Sequence, residues 1–348
     1  MPLAEWARRL PERWYRPGLA LPLWPLLPLS WLFGAIGAWR RWAYRRHLLP
    51  SYRLPVPVIV VGNLTVGGSG KTPLVLWLVE ELRQAGWQPG IISRGYGSDR
   101  NEVRPVVTRS TAAEVGDEPL LLARRAGVPV FVGRDRVAAG RALLAAHPHC
   151  NLLLSDDGLQ HYRLQRDGEV VLFDGRGVGN GRLLPAGPLR EPLRRLATVS
   201  AVVWNGIPDA RLKDQANTLP QFTMTLNSRR FVAVSRREAN CDADSLQGRR
   251  LYAVAGIGDP SRFFRQLTAL GLAFEAHPFP DHHRYRATDL DFSHDGVLLM
   301  TEKDAVKCET IVTGEAWALP VDAEIGAVTG RSDLIETLLE ILHGRPSA

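Results

Sequence analysis

The chain has 348 residues, 45% of them hydrophobic and 23% charged, enough to bury more than one core and too apolar for a disordered chain. Its formal net charge of +7 sits mostly in the first 50 residues, where eight arginines (Arg8, Arg9, Arg13, Arg16, Arg40, Arg41, Arg45, Arg46) face only Glu5 and Glu12. The near-neutral remainder excludes a generally basic nucleic-acid binder, and the three scattered cysteines, Cys150, Cys241 and Cys308, exclude a disulfide framework or zinc spacing and suit a reducing compartment.

The N-terminal segment also holds Trp6, Trp14, Trp24, Trp31, Trp39 and Trp42, six of the ten tryptophans. Indole rings beside arginines suit a membrane–water interface, where anionic headgroups attract the cations. Residues 18–39 carry no charge and are long enough to span a bilayer. Pro22, Pro25 and Pro28 would break a helix through the first half of that stretch, so a helix is expected only from about Leu29 to Leu49. The pattern favours an interfacial anchor over a spanning segment or a packing arm. A cleaved signal peptide is not expected, because the next strand follows without a cleavage site.

Val58–Val61 reads as a buried strand, Gly62–Gly70 as a glycine-rich turn, and Lys71-Thr72 as the opening of a helix through Ala85. That is the layout of a nucleotide-phosphate cradle. Backbone amides of Gly67, Gly68, Ser69 and Gly70 would approach the phosphates, Lys71 would reach the outer ones, and the Thr72 hydroxyl would ligate Mg²⁺. Thr65 stands where the general phosphate-loop pattern has its first glycine. Pro73 fits a first helical turn, where its missing N–H costs little.

Further apolar strands are expected at 90–93, 128–132, 151–155, 170–173 and 201–204, with a helix near 134–147. Short apolar strands alternating with helices imply a doubly wound, mostly parallel sheet with ligands at the strands' carboxyl ends. Residues 222–226 and 231–234 around Asn227-Ser228 resemble a hairpin. A second α/β unit follows, with strands at 251–255 and 297–300 and a helix at 262–270. The expected division is therefore a membrane-interacting segment (1–50), a nucleotide-binding domain (51–210), a hairpin linker (211–245) and a smaller C-terminal α/β domain (246–348).

Three groups beyond the loop carry chemistry. Asp156 and Asp157 end an apolar strand, where a phosphate-loop protein keeps its second Mg²⁺-binding element. Asp117 and Glu118 open a helix, which capping alone would explain. Asp281-His282-His283 lies in a loop; it lacks a third metal ligand at fixed spacing, whereas acid–base chemistry needs one histidine near a carboxylate. The loop 181–191 adds Arg182 and Arg190, suited to an anionic substrate.

Gly62-Asn-Leu-Thr-Val-Gly-Gly-Ser-Gly-Lys-Thr72, Ser93-Arg-Gly-Tyr-Gly97, Gly116-Asp-Glu-Pro119, Asp156-Asp-Gly-Leu-Gln-His161, Leu184-Pro-Ala-Gly-Pro-Leu-Arg-Glu191, Phe279-Pro-Asp-His-His283 and Thr301-Glu-Lys-Asp-Ala305 follow one another in order. Together they resemble the tetraacyldisaccharide 4′-kinase family, the lipid A 4′-kinases of Gram-negative bacteria, from about residue 13 to 340. The resemblance implies a P-loop NTPase-like fold and ATP- and Mg²⁺-dependent phosphorylation of the 4′-hydroxyl of tetraacyldisaccharide 1-phosphate to lipid IVA. It implies catalytic roles for Asp117, His282 and Lys71, with Asp117 activating the sugar hydroxyl. Metal contacts would come from Thr72, Asp156, Asp157, Glu118 and Gln160, and substrate contacts from Arg190, Asn63, Arg94 and Tyr96. It also implies a lipid substrate, no nucleic-acid partner, a monomer, and a peripheral or anchored position on the cytoplasmic face of the inner membrane. The alternative is a membrane-associated ATPase switch without kinase activity; such proteins often carry lysine where Val66 stands. No guanine-recognition motif N-K-x-D is present.

Overall fold

The computed structural model describes residues 10–16, 18–98, 102–207, 210–228, 230–235, 239–328 and 333–344. The chain forms two compact units that interleave in sequence: residues 1–89, 148–225 and 325–348 make the first, and residues 90–147 and 226–324 the second. The cut differs from the expected one because residues 90–147 join the C-terminal half, while the last helix, Leu334–His343, returns to the first unit. That helix buries Leu334, Leu338 and Leu342, and in the first unit it meets helix Lys71–Gln84 and strand Gly168–Asp174.

The first unit is built on parallel strands in the order Gln221–Asn227, Ala201–Asn205, Gly168–Asp174, Val58–Gly62, Leu152–Asp156. Val58 to Val61 are almost fully buried, as expected for a strand covered on both faces. After Leu152–Asp156 fills one side of the Val58 strand, the chain crosses to its other side with Gly168–Asp174 and continues outward there, so the winding reverses at the Val58 strand. In such sheets ligands bind beyond the carboxyl ends at the reversal. Asp156, Asp174 and Asn205 all lie at that same edge, because parallel strands bring their C-terminal residues into line.

The second unit holds the pair Pro89–Ser93 and Val130–Val132, which is parallel, and a six-stranded sheet. The order in that sheet is Asn240–Cys241, Phe231–Ala233, Ala316–Leu319, Val297–Thr301, Leu251–Ala255, Glu275–Pro278. Here the expected hairpin fails. Gln221–Asn227 pairs in parallel with Ala201–Asn205, whereas Phe231–Ala233 runs antiparallel to Ala316–Leu319 and Asn240–Cys241. The Asn227-Ser228 turn signal is local, and long-range partners on either side of it pull the two strands into different sheets.

At the N-terminus, Leu21–Leu26 is a 3-10 helix that runs into the α-helix Leu27–Arg45. The prolines that should break an α-helix here recur every third residue, the period of a 3-10 helix, and the segment adopts that form instead. One side of the long helix lies on the first unit. Ser30 donates to the Leu183 carbonyl at 2.7 Å, and a Cβ on Gly34 would sit 2.8 Å from the Leu183 side chain. Arg41 pairs with the buried Glu191 at 3.3 Å, and Ala43 is buried. The other side exposes Leu29, Trp31, Leu32, Phe33, Ile36 and Trp39. Trp14 departs from the expected aromatic belt: it is 7% exposed, packed with Leu10 and Leu23, and donates to the Pro185 carbonyl. Trp6, Arg8 and Arg9 lie outside the described residues.

Candidate active site

Within the first unit the phosphate loop runs from Gly62 to Gly70 and opens helix Lys71–Gln84. Gly67 and Gly70 sit at φ 104° and 95°, which L side chains rarely adopt, and a Cβ on Gly70 would come within 2.6 Å of Asn205 Nδ2. Gly67 and Gly68 form the exposed crest of the loop, and Ser69 is buried beneath it. Thr65 fits where a glycine was missing from the general pattern because it forms a short bridge with Leu189. The Val66 amide also donates to the Pro188 carbonyl.

Three side chains brace the loop. Asn63, expected to touch substrate, is fully buried and donates through Nδ2 to the Gly67 carbonyl at 3.2 Å and to Ser69 Oγ at 3.3 Å. Asn205 donates to the Ser69 carbonyl at 2.8 Å, and Arg176, itself paired with Asp174, donates to the Gly68 carbonyl at 3.1 Å. Asn205 and Arg176 carried no signal in the sequence; they reach the loop through neighbouring strand ends 136 and 108 residues away. Gln160 donates to the Asn63 carbonyl at 3.5 Å.

Asp157 adopts φ 47° and faces two cations, Lys71 at 3.6 Å and Arg190 at 2.9 Å. Asp156 is 2% exposed at the end of its strand. Asp157 is therefore an ion-pair hub beside the phosphate loop, and Asp156 is the remaining strand-end carboxylate. The Thr72 hydroxyl and the Asp156 carboxylate are hard-oxygen donors of the kind that suits Mg²⁺, which typically takes one or two carboxylates and fills its shell with phosphate and water. Among the described residues no three acidic, histidine or cysteine side chains gather into a self-sufficient metal cage.

In the second unit Asp117 starts helix Asp117–Ala126 and is 5% exposed. His282 Nδ1 lies 2.9 Å from Asp117 Oδ2. His282 itself sits at φ 58°, with its backbone N–H donating to the Gly256 carbonyl. Burial alone would raise the Asp117 pKa, but the His282 hydrogen bond and the Lys303 charge outweigh it and hold the carboxyl below its usual range. The same hydrogen bond lifts His282 above its ordinary value, against burial and Lys303. The stability that Asp117 adds is lost as pH falls through its lowered value. That from His282 is complete below its ordinary 6.5 and is lost as pH rises through its raised value.

The Tyr96 ring lies 5.0 Å from the His282 ring and is largely exposed, as is Arg94 on the same loop. Glu118, expected as a metal ligand, is ion-paired with Lys303 at 3.0 Å. A buried carboxylate backed by an imidazole is an arrangement that accepts a proton from a hydroxyl group.

The residues matching the family described as Tetraacyldisaccharide-1-P 4′-kinase run from 22 to 342. The tetraacyldisaccharide 4′-kinase of Dechloromonas aromatica is 55% identical over 348 residues, covering 99% of this chain and all of that protein. The like-named protein of Azoarcus sp. strain BH72 is 55% identical over 329 residues, with 93% of each chain covered. LpxK from Aquifex aeolicus, solved in complex with ATP, has 30% sequence identity and a TM-score of 0.77, and the match covers 93% of this chain and 99% of that one. On these matches, and on the geometry of the cradle and the Asp117–His282 pair, the chain belongs to the tetraacyldisaccharide-1-P 4′-kinase family.

Proposed function

We propose a division of labour for the reaction of this family, transfer of a phosphoryl group from ATP to the 4′-hydroxyl of tetraacyldisaccharide 1-phosphate. The phosphate loop and Lys71 hold the nucleotide phosphates, with the loop amides and the helix N-terminus offsetting the anionic charge. Thr72 and Asp156 would hold Mg²⁺, which would neutralise charge on the phosphates. Asp157 keeps Lys71 and Arg190 oriented through the ion pairs at 3.6 and 2.9 Å. Asp117 accepts the proton of the sugar hydroxyl, and His282 holds the carboxylate in place through Nδ1. Arg190 of the first unit, and Arg94 and Tyr96 of the second, are each offered as contacts to the phosphate or sugar groups of the lipid.

The observation that carries this reading is the Asp117–His282 contact at 2.9 Å. A nucleotide switch has no acceptor hydroxyl to deprotonate, whereas a kinase does. Family membership also favours the kinase over the ATPase switch. With purified protein and ATP, ADP is expected to form only when the tetraacyl disaccharide is supplied in mixed micelles. ADP formation at the same rate without lipid would favour the switch.

The N-terminal helix suits attachment along a membrane surface. Within the helical stretch Leu21–Arg45, only 11% of the most apolar 18-residue window is buried, so it is not a core helix. Ser30, Gly34 and Arg41 fix one side to the body, which leaves the exposed Trp31, Leu32, Ile36 and Trp39 for the headgroup boundary. On this reading the lipid is met at the cytoplasmic face of the inner membrane. Replacing Trp31, Leu32, Ile36 and Trp39 together by serine is expected to cut sedimentation with anionic vesicles at least tenfold, since each buried apolar side chain is worth roughly 1.5–3 kcal/mol. The melting temperature is expected to hold, because these side chains already face outward. Undiminished vesicle binding would refute the assignment of this face.

A further inference from the structure

The motif Thr301-Glu-Lys-Asp-Ala305 has no part in the division of labour above, yet its three charged residues converge on the Asp117–His282 pair. Thr301 caps helix Glu302–Cys308 by accepting from the Asp304 amide. Glu302 takes a two-pronged contact from Arg125, at 2.7 and 2.8 Å, on the helix that Asp117 opens. Asp304, fully buried, accepts from the Gly256 amide at 3.0 Å, and the Gly256 carbonyl accepts from the His282 amide at 3.2 Å. Neighbouring residues thus hold the helix behind Asp117 and the backbone behind His282.

Lys303 lies between them. Its ammonium is 3.0 Å from Glu118 Oε1, 3.4 Å from His282 Nε2, 3.7 Å from Asp281 Oδ1 and 3.9 Å from Asp117 Oδ2, and its side chain is 17% exposed. An ammonium has only donors, so the nitrogen facing it is the accepting one. In the neutral ring the proton therefore sits on Nδ1, where it donates to Asp117. The Lys303 ammonium and the acceptor-only Asp117 carboxylate favour the same tautomer, although Asp281 Oδ1 also lies 3.9 Å from Nε2. The one cation balances the three carboxylates crowded around it.

From this geometry we propose that Lys303 is a positioning residue for the phosphoryl transfer: its ammonium fixes His282 with Nδ1 toward Asp117 and keeps Asp117 aligned as the proton acceptor. The assignment rests on the kinase reading above. It requires Lys303 to act through Asp117 rather than on the phosphates.

The test is a double-mutant cycle on the full chain, with lipid phosphorylation measured at saturating and limiting ATP. Lys303→Met is expected to lower kcat by about 30-fold, within the range of general-base effects, and to leave the KM for ATP within about threefold. Lys303→Arg, which keeps a cation, is expected to recover most of that loss. In an Asp117→Ala background the same Lys303→Met change is expected to cost less than about threefold, because the group it positions is gone. Equal losses in both backgrounds would overturn the proposal, as would an unchanged kcat for Lys303→Met or a rise in KM alone. If Lys303→Met does not fold, as judged by its melting curve, Lys303→Gln carries the same comparison. Absence of lipid phosphorylation by the unaltered chain would overturn the kinase reading and this role with it, whereas a normal wild-type rate with additive losses would overturn this role alone.

Discussion

Lys71→Ala is expected to reduce turnover by roughly 10³-fold, the scale seen when one preorganised donor is removed from a site of developing charge. The Lys71 side chain is 9% exposed at the first position of its helix, held toward Asp157 at 3.6 Å. Phosphoryl transfer leaves the protein little covalent chemistry to perform, so positioning and charge neutralisation carry most of the rate. Removing Lys71 takes a cation from the cradle and leaves Asp157, an anion, beside the phosphates with Arg190 still paired to it at 2.9 Å. Both nucleotide affinity and kcat should fall. Steady-state kinetics with fluorescence-monitored nucleotide binding would measure each, and a loss below about tenfold in kcat/KM would remove Lys71 from its central place in the cradle. Lys71→Arg is not a rescue, since the planar guanidinium is longer and cannot stand in for a point charge in this enclosed position.

Asp117→Ala is expected to separate the two functions. Turnover should drop between about 10²- and 10⁴-fold, the usual contribution of a general base, while the KM for ATP stays within about threefold. The separation follows from where the residue sits: Asp117 belongs to the second unit, on a helix N-terminus, and contacts His282, Lys303 and the Glu118 amide. None of these is part of the phosphate loop. Asp117→Asn should be nearly as slow as alanine, because the amide keeps the shape and loses the basicity. A near wild-type kcat for either variant would end the assignment of Asp117 as proton acceptor.

Much of the nucleotide half could be read from residue order. Glycines at positions that need positive φ, an apolar strand before them and Lys71-Thr72 after them are local requirements, and local requirements leave a local signature. Asp156 and Asp157 were legible as a strand end, but their difference was not. What separates them is the cation pair that Asp157 gathers from Lys71 and Arg190, residues 86 and 33 positions away. Asn63 shows the same limit. The resemblance implied substrate contact for it, and only the fold shows that it is fully buried and hydrogen-bonded to the loop at Gly67.

The second unit was harder to read for a related reason. Asp117 and His282 are 165 residues apart, and Lys303 meets Glu118 across 185. No periodicity or spacing rule encodes such meetings; they depend on helices Asp117–Ala126 and Glu302–Cys308 packing together. The hairpin expected at residues 222–234 failed in the same way, because pairing with Ala201–Asn205 on one side and Ala316–Leu319 on the other outweighed the turn between them. The proline spacing near the N-terminus went the other way: a helix breaker in α terms fits a 3-10 turn.

The measurement that bears most directly on the phosphoryl-transfer claim follows the fate of the γ-phosphoryl group. γ-Labelled ATP is incubated with the protein, Mg²⁺ and tetraacyldisaccharide 1-phosphate in mixed micelles, and the lipid is extracted and its phosphorylated position assigned by NMR. The expected result is one label per ADP formed, carried on the 4′-oxygen, with Asp117→Asn reducing label and ADP together. Label recovered only as inorganic phosphate, with the lipid unlabelled, would contradict it.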